Sequence, residues 1–393
     1  MSGFEGIAYE LDVLRRLVEI DTDVMKKTGY SKCAAAIKEL MEEANLKVDV
    51  FDPAKATEDQ APRPNVVGTL DVGAKETVAL ITHYDVVPPG EGWKKDPFKL
   101  IIEGDRAYGR GAADDKSSIA VCLGAIKRVA REAKYNVKLI ASPDEEVGGD
   151  LGIGYLMRNL KMRFDFGVIV DAAPNFICIG ASGIVWGKIK VVGKQGHAGY
   201  GHLADNPIPK LAKLIGQMEE FTRYREAKRS VVSSPPNSPK DRVWGRISYT
   251  IIGGGEKENI IPSTAWASFD MRLLPEEKPA DASAEMVQFF NKAKESLGIE
   301  AEISFHKRDP GFLTRPDERH VKEIQEATSK VFGSPLPLGA SLGGDDGKFL
   351  AEQGIPVVSY GAIADDTHFH GSDEFVYLKD LRAVRDVFVN LLR

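Results

Sequence analysis

Four apolar runs of strand length, residues 78–82, 137–141, 166–170 and 355–360, alternate along this chain with stretches of helical periodicity. Such runs are continuous rather than alternating, the pattern of strands covered on both faces by helices. The helical stretches include Ile7, Leu11, Leu14, Leu17 and Val18; then Ile37, Leu40 and Met41 behind a possible cap at Ser31; and later Ile119, Cys122, Leu123, Ile126, Val129 and Ala130. Each group recurs at the three-to-four-residue spacing of one helix face. This arrangement predicts an α/β layered domain around a mixed, largely parallel sheet.

Residues 184–307 read differently. Strands are expected at 184–192, 243–252, 265–274 and 301–305, with helices at 206–225 and 280–297. The order βαββαβ is that of a ferredoxin-like sandwich. Helical and strand patterns of the first kind resume at 321–331 and 355–360, so the sandwich is expected as an insertion in a discontinuous domain of residues 1–183 and 308–393. Within it, 228–241 (KRSVVSSPPNSPKD) is rich in Ser, Pro and charge and is expected to be an irregular loop.

Composition narrows the function classes. The formal net charge is −6, from 52 basic and 58 acidic side chains, which argues against nucleic-acid binding. No run approaches the roughly 20 apolar residues of a membrane span, and MSGFEGIAYE lacks the basic start and apolar core of a signal peptide, so a cytoplasmic protein is expected. Three separated cysteines, Cys33, Cys122 and Cys178, suggest neither a disulfide framework nor a thiolate metal site.

The chemistry lies where the apolar runs end. One empties into His83-Tyr84-Asp85, one into Pro143-Asp144-Glu145-Glu146, one into Asp171, and the last leads to His368 and His370; GRGAADDK adds Asp114 and Asp115 ahead of a helix. Open α/β sheets bind ligands at the carboxyl ends of their strands. Several carboxylates and imidazoles converging there repel and desolvate one another unless cations neutralise them, and such side chains are good ligands for a pair of divalent metals.

These residues resemble the dinuclear zinc metallopeptidases and deacylases that include succinyl-diaminopimelate desuccinylase, acetylornithine deacetylase, aminoacylase and carnosinase. The resemblance runs through THYDVVPPGEGW (82–93), YGRGAADDKSSIA (108–120), SPDEEVGG (142–149), VDAAP (170–174), GKQGHAGYGHLADNP (193–207), ENIIPSTA (258–265), DMRLLPE (270–276), GASLGGDDGKFL (339–350) and HGSDEF (370–375). It implies two divalent ions, zinc first and cobalt or manganese as substitutes, held by His83, Asp114, Glu146, Asp171 and His370, with Asp114 as the bridge and a cis peptide after it. It further implies Glu145 as general base, Asp85 as the carboxylate orienting His83, and His197 as an oxyanion-stabilising histidine reaching across a homodimer formed through the inserted lid. Asn259, Arg272, Gly343 and Gly344 are implied to hold a substrate carboxylate.

Asp115 departs from the family pattern and is expected to be a solvated or lysine-paired turn acid. His368 falls outside the ligand pattern, which places the ligand four residues before Glu374, and His202 has no assigned role. The implied reaction is hydrolysis of an amide bond in a small carboxylate-bearing N-acyl amino acid. The motif around His197 favours a desuccinylase or deacylase, whereas Asp171 favours a dipeptidase, aminopeptidase or carboxypeptidase of the same family. Two rivals are a serine hydrolase using Ser341 in GASLG, weakened by Pro335 and Pro337 where the elbow needs a strand, and a non-catalytic scaffold, weakened because every ligand position is filled.

Overall fold

The computed structural model describes residues 6–130 and 132–393. The chain forms two compact units. One comprises residues up to Gly180 together with Thr314–Gly339 and Asp345–Arg393; the other comprises Ala181–Leu313 with Ala340–Gly344.

In the first unit the four apolar runs become the strands Thr77–His83, Asn136–Ser142, Phe166–Ile169 and Val357–Ser359. They are mutually parallel neighbours at the centre of the sheet, in the order Asn136–Ser142, Thr77–His83, Phe166–Ile169, Val357–Ser359. Antiparallel strands flank them, Asn65–Leu70 and Lys47–Phe51 on one side and Ile177–Ala181 on the other. Parallel central strands share a direction, so His83, Ser142, Ile169 and Ser359 all end on one sheet edge.

The helix Lys116–Val129 is buried almost all round, because it lies between the sheet and the helices Ala8–Val18 and Leu378–Leu392. The second helix spans Tyr30–Glu43 with Gly29 at its N-cap, at φ 77°. Ser31 therefore lies inside that helix and does not cap it, since a side chain at Gly29 would strike the carbonyl of Asp21. A small sheet pairs Phe375–Tyr377 with Arg106–Tyr108 and that strand with Ile101–Glu103, which brings the end of the chain onto the GRG segment. The three cysteines are buried. Among the described residues no helix is long and apolar enough to cross a membrane.

The second unit holds a four-stranded antiparallel sheet in the order Arg246–Gly254, Thr264–Arg272, Ile184–Val192, Ala301–Asp309. Val185, Ile189, Val191, Ala265, Ala267, Phe269 and Met271 alternate onto its inner face. They pack on Leu211, Leu214, Phe221, Met286 and Phe290. The expected single helix at 206–225 is two, Pro207–Gln217 and Glu219–Ala227, the first capped by Asn206 accepting from the Ile208 N–H at 3.0 Å.

The stretch 228–241 is not wholly irregular: Arg229–Ser233 pairs antiparallel with Arg242–Trp244. Its alternation is short but real, with Ser230 and Val232 buried and Arg229, Val231 and Ser233 exposed.

Candidate metal centre

All five sequence-expected ligands sit in the first unit and converge. The strand Thr77–His83 ends on His83; Asp171 lies two residues beyond the end of Phe166–Ile169; Glu146 sits in the short turn Glu145–Val147 after Asn136–Ser142; Asp114 precedes the helix Lys116–Val129. Two groups result, His83 with Asp114 and Asp171, and Asp114 with Glu146 and His370. Within each, ligand atoms lie within 4.8 Å of one another.

Asp114 belongs to both groups through different oxygens. Its Oδ1 lies 3.0 Å from His83 Nε2 and its Oδ2 lies 3.1 Å from His370 Nε2. His370 Nε2 also lies 3.1 Å from Glu146 Oε2, and His83 Nε2 lies 3.8 Å from Asp171 Oδ2. Ligands about 2.0–2.2 Å from a zinc-like ion are themselves roughly 3–4 Å apart, so each group has the spacing and donor chemistry of one divalent site, with a carboxylate bridging the two. His368 is exposed, its ring edge-on to Phe375, and belongs to neither group. The peptide bond between Asp114 and Asp115 is cis.

The electrostatics fit cations. Burial pushes the Asp171 carboxyl well above the usual range, and the nearby Asp114 adds to this. Burial, then Asp114, likewise raises Glu146. On His370 the hydrogen bonds to Asp114 and Glu146 raise the imidazole to about 10. Burial opposes charge on His83, but its contacts with Asp114 and Asp85 together outweigh it and the net shift is upward. Such mutual displacement marks carboxylates and imidazoles competing for protons at a site that two cations neutralise.

Asp85 is fully buried and contacts both His83 and the turn after the strand Asn136–Ser142. His83 Nδ1 lies 3.1 Å from the Asp85 carbonyl oxygen and 3.3 Å from its Oδ1. The same carboxylate accepts the backbone N–H of Glu145 at 3.3 Å and of Glu146 at 3.1 Å, so one side chain positions a ligand histidine and the turn carrying both glutamates. Glu145 shares a small recess with Thr82, His83, Asp171 and Asp346. Burial pushes its carboxyl well above the ordinary range; His83 opposes this, while Asp171, Asp346 and Glu146 add to it.

Three acids here were not legible from the sequence. Asp115 is neither solvated nor lysine-paired: it is fully buried, and its Oδ2 accepts the backbone N–H of His83 at 3.1 Å. Its neighbour Lys116 is turned away, donating to the carbonyls of Leu17 and Ile20 at 3.1 and 2.7 Å. Glu374, which served only as a spacing marker for His370, pairs with buried Arg110 and accepts the N–H groups of Gly111, Ala113 and Asp114. Asp346, in GGDDGKF, is 3% exposed in the Glu145 recess, and burial lifts its carboxyl to about 7. A run of adjacent acids in a glycine-rich motif was the one available signal for it.

The remaining expected residues lie in the second unit. His197 pairs with Ile260 in a short antiparallel ladder, and Ala198 N–H donates to the Asn259 carbonyl at 2.9 Å, so His197 and Asn259 are neighbours, both exposed. His197 Nδ1 accepts from the Gly199 N–H, and His202 is exposed near Tyr200. Arg272 is half-buried and grips Asp270, Nε to Oδ1 at 2.7 Å and Nη2 to Oδ2 at 2.9 Å. Gly344 packs on Ile184, which lies opposite Arg272 in the sheet.

Ser341 does end a strand, Leu338–Ser341, despite the prolines, because the strand begins just after Pro337. The next helix, however, starts only at Gly347, and Ser341 Oγ accepts the N–H of Gly343 at 3.0 Å. A nucleophile elbow needs strand, serine and helix in immediate succession, and that is not what forms here.

Comparison with known proteins agrees with this geometry. Residues 79–393 match the model of peptidase family M20/M25/M40. The chain is 30% identical over 349 residues to succinyl-diaminopimelate desuccinylase of Gluconobacter oxydans, covering 86% of this chain and 85% of that protein. Its fold is similar to an M20 family metallo-carboxypeptidase from Sulfolobus solfataricus, with a TM-score of 0.79, 23% identity and coverage of 97% and 98% of the two chains. A tripeptidase from Staphylococcus aureus is similar at a TM-score of 0.79, 22% identity and coverage of 98% and 97%. Two candidate metal-binding groups that share Asp114, and a family match over most of the sequence, lead to one conclusion: the chain belongs to peptidase family M20/M25/M40 and is a metal-dependent hydrolase of amide bonds.

Proposed function

We propose that this protein hydrolyses the amide bond of small carboxylate-bearing N-acyl amino acids, in the manner of a desuccinylase or deacetylase, using two zinc ions. The observation that carries the reading is Asp114, which turns one carboxylate oxygen to each of two ligand groups while Glu145 lies beside them. Imidazole and carboxylate donors suit zinc, with cobalt or manganese as functional substitutes. Held by these residues, two such ions would supply Lewis acidity and lower the pKa of a water toward ~7.

Glu145 does the proton work. It takes a proton from the water whose oxygen attacks the amide carbon, and delivers it to the nitrogen as the C–N bond breaks. Its confined position among other acids favours holding that proton between the two steps. Asp85 keeps Glu145, Glu146 and His83 in register through the hydrogen bonds it accepts.

Substrate recognition is assigned to the second unit, with Asn259, Arg272, Gly343 and Gly344 on the carboxylate and His197 on the carbonyl oxygen. His197 acts in a homodimer, which the exposed edge strand Arg246–Gly254 supports: Ile251 and Ile252 are 58% and 67% exposed, and an apolar edge is a template for pairing with another chain. A peptidase acting on short peptides is the second reading, favoured by Asp171.

The test is turnover of N-succinyl-diaminopimelate, N-acetyl amino acids and a dipeptide panel by the metal-loaded enzyme, with and without chelator. Chelator-sensitive turnover of the acylated amino acids supports the first reading, and turnover of dipeptides alone supports the second. Chelator-resistant hydrolysis of every substrate would overturn both.

A further inference from the structure

Arg225, Arg246 and Arg272 lie near one end of the second unit's sheet, and two of these three have carboxylate partners among the described residues. Arg225 is fully buried and paired with Glu277. Arg272 holds Asp270 with two hydrogen bonds, and Asp270 Oδ2 also accepts the Trp186 indole N–H at 2.8 Å. Arg246 lies directly opposite Arg272 in the ladder and has no carboxylate partner among the described residues. Like charges set opposite each other in a sheet are unfavourable, so this pairing needs an explanation beyond folding.

Among the described residues, the groups that hold Arg246 are neutral. Its Nη2 donates to the Leu342 carbonyl at 2.9 Å and to Ser182 Oγ at 3.1 Å, and its guanidinium lies 5.0 Å from the centre of the Trp244 ring. Its Nε–H is buried without a hydrogen-bond partner. Burial, with repulsion from Arg272, lowers its pKa to about 10, against a smaller opposing pull from Asp270. A partly desolvated cation without a counter-ion is costly, and a planar guanidinium fork fixed from behind is a receptor for a carboxylate. Asp270 is held by Arg272 through both carboxylate oxygens, which leaves Arg246 without a carboxylate of its own among the described residues.

We propose that Arg246 is a specificity-determining residue that binds a carboxylate of the substrate, so that the preferred substrates are anionic amides and neutral analogues are discriminated against. This rests on the amide-hydrolase reading above and adds the residue that supplies the attractive charge beside Arg272. The loop it grips through Leu342 continues into Gly343 and Gly344, where backbone can approach the same anion.

The experiment compares the metal-loaded wild type with Arg246→Lys and Arg246→Met on N-succinyl-L-alanine and on two analogues carrying a carboxamide in place of one carboxylate or the other. In the wild type, one analogue should be much poorer than the parent. In Arg246→Met, KM for the parent should rise roughly 10- to 100-fold with kcat little changed, KM for that analogue should hardly move, and Arg246→Lys should recover part of the loss. An equal loss on parent and analogues, or no loss, overturns the proposal.

Succinate titrated calorimetrically into metal-loaded wild type and Arg246→Lys separates the two readings. If no amide is hydrolysed, the functional reading fails, yet weaker succinate binding by the variant still supports Arg246 as a carboxylate receptor. Equal binding removes that role whatever the enzyme hydrolyses.

Discussion

The carboxylate of Glu374 accepts the backbone N–H of Asp114 at 3.0 Å, joining residues 260 positions apart. It also accepts from Ala113 at 2.9 Å and Gly111 at 3.1 Å, and pairs with buried Arg110. One acid thereby sets the position of Asp114, the residue shared by both candidate ligand groups, relative to His370, four residues before Glu374.

Replacing Glu374 with Ala leaves the buried Arg110 guanidinium without its carboxylate and three N–H groups without their acceptor. Breaking a buried ion pair from one side costs about 3–5 kcal/mol, and loss of support behind metal ligands lowers metal affinity roughly 10- to 100-fold. Urea denaturation and metal titration of Glu374→Ala should show both losses. A variant with wild-type stability and metal affinity would show that the contact is incidental.

Glu145→Gln keeps the shape of the side chain and removes its capacity to accept a proton. Turnover should fall by at least ~10²- to 10⁴-fold, while metal content stays near that of the wild type because Glu145 belongs to neither ligand group. Elemental analysis beside steady-state kinetics separates the two effects, and full activity would remove Glu145 from the proton-transfer role.

Asp85→Ala should behave differently from Glu145→Gln. Its carboxylate accepts from the N–H groups of Glu145 and Glu146 and approaches His83 Nδ1, so its loss loosens a ligand histidine, a ligand glutamate and the base together. Metal affinity should drop roughly 10- to 100-fold along with kcat. Unchanged metal affinity with reduced kcat would confine Asp85 to placing Glu145.

His320 governs part of the acid sensitivity of folding. Its ring stacks on Phe166 with centroids 4.6 Å apart, and its Nε2 lies 2.8 Å from Arg319 Nη2, where only an unprotonated nitrogen can accept. Burial, then the Arg319 charge, lowers its pKa below the ordinary value. The unfolded chain therefore takes up the proton first: the stability that neutral His320 contributes is present above ~6.5 and is lost as pH falls below it. Denaturation of wild type and His320→Phe at pH 7.5 and 5.5 should show a larger acid loss in the wild type. Equal losses would mean that His320 takes up its proton equally in the folded and unfolded states.

The elements with strong local signals were readable in the sequence. The four central strands declared themselves as continuous apolar runs, because strands covered on both faces carry no polar alternation. The five candidate ligand residues could be proposed from the sequence because each follows a strand or opens a helix in a motif of fixed spacing, and the structure brings them together. The hairpin at Arg229–Ser233 escaped because two inward residues among serines and prolines are too weak a period to stand out.

What the sequence could not determine is which polar groups end up facing one another once distant segments meet. Asp115 and Glu374 are ordinary acids in the sequence, and their burial, with the backbone N–H groups they receive, exists only after segments 32 and 260 residues away are brought to them. Arg246 is likewise one basic residue among 52 until strand register sets it opposite Arg272 and Asp270 is already taken. Residue type and local period determine which chemistry is available; desolvation and hydrogen-bond partnering depend on long-range contacts, so the tertiary structure alone decides where that chemistry is put to use.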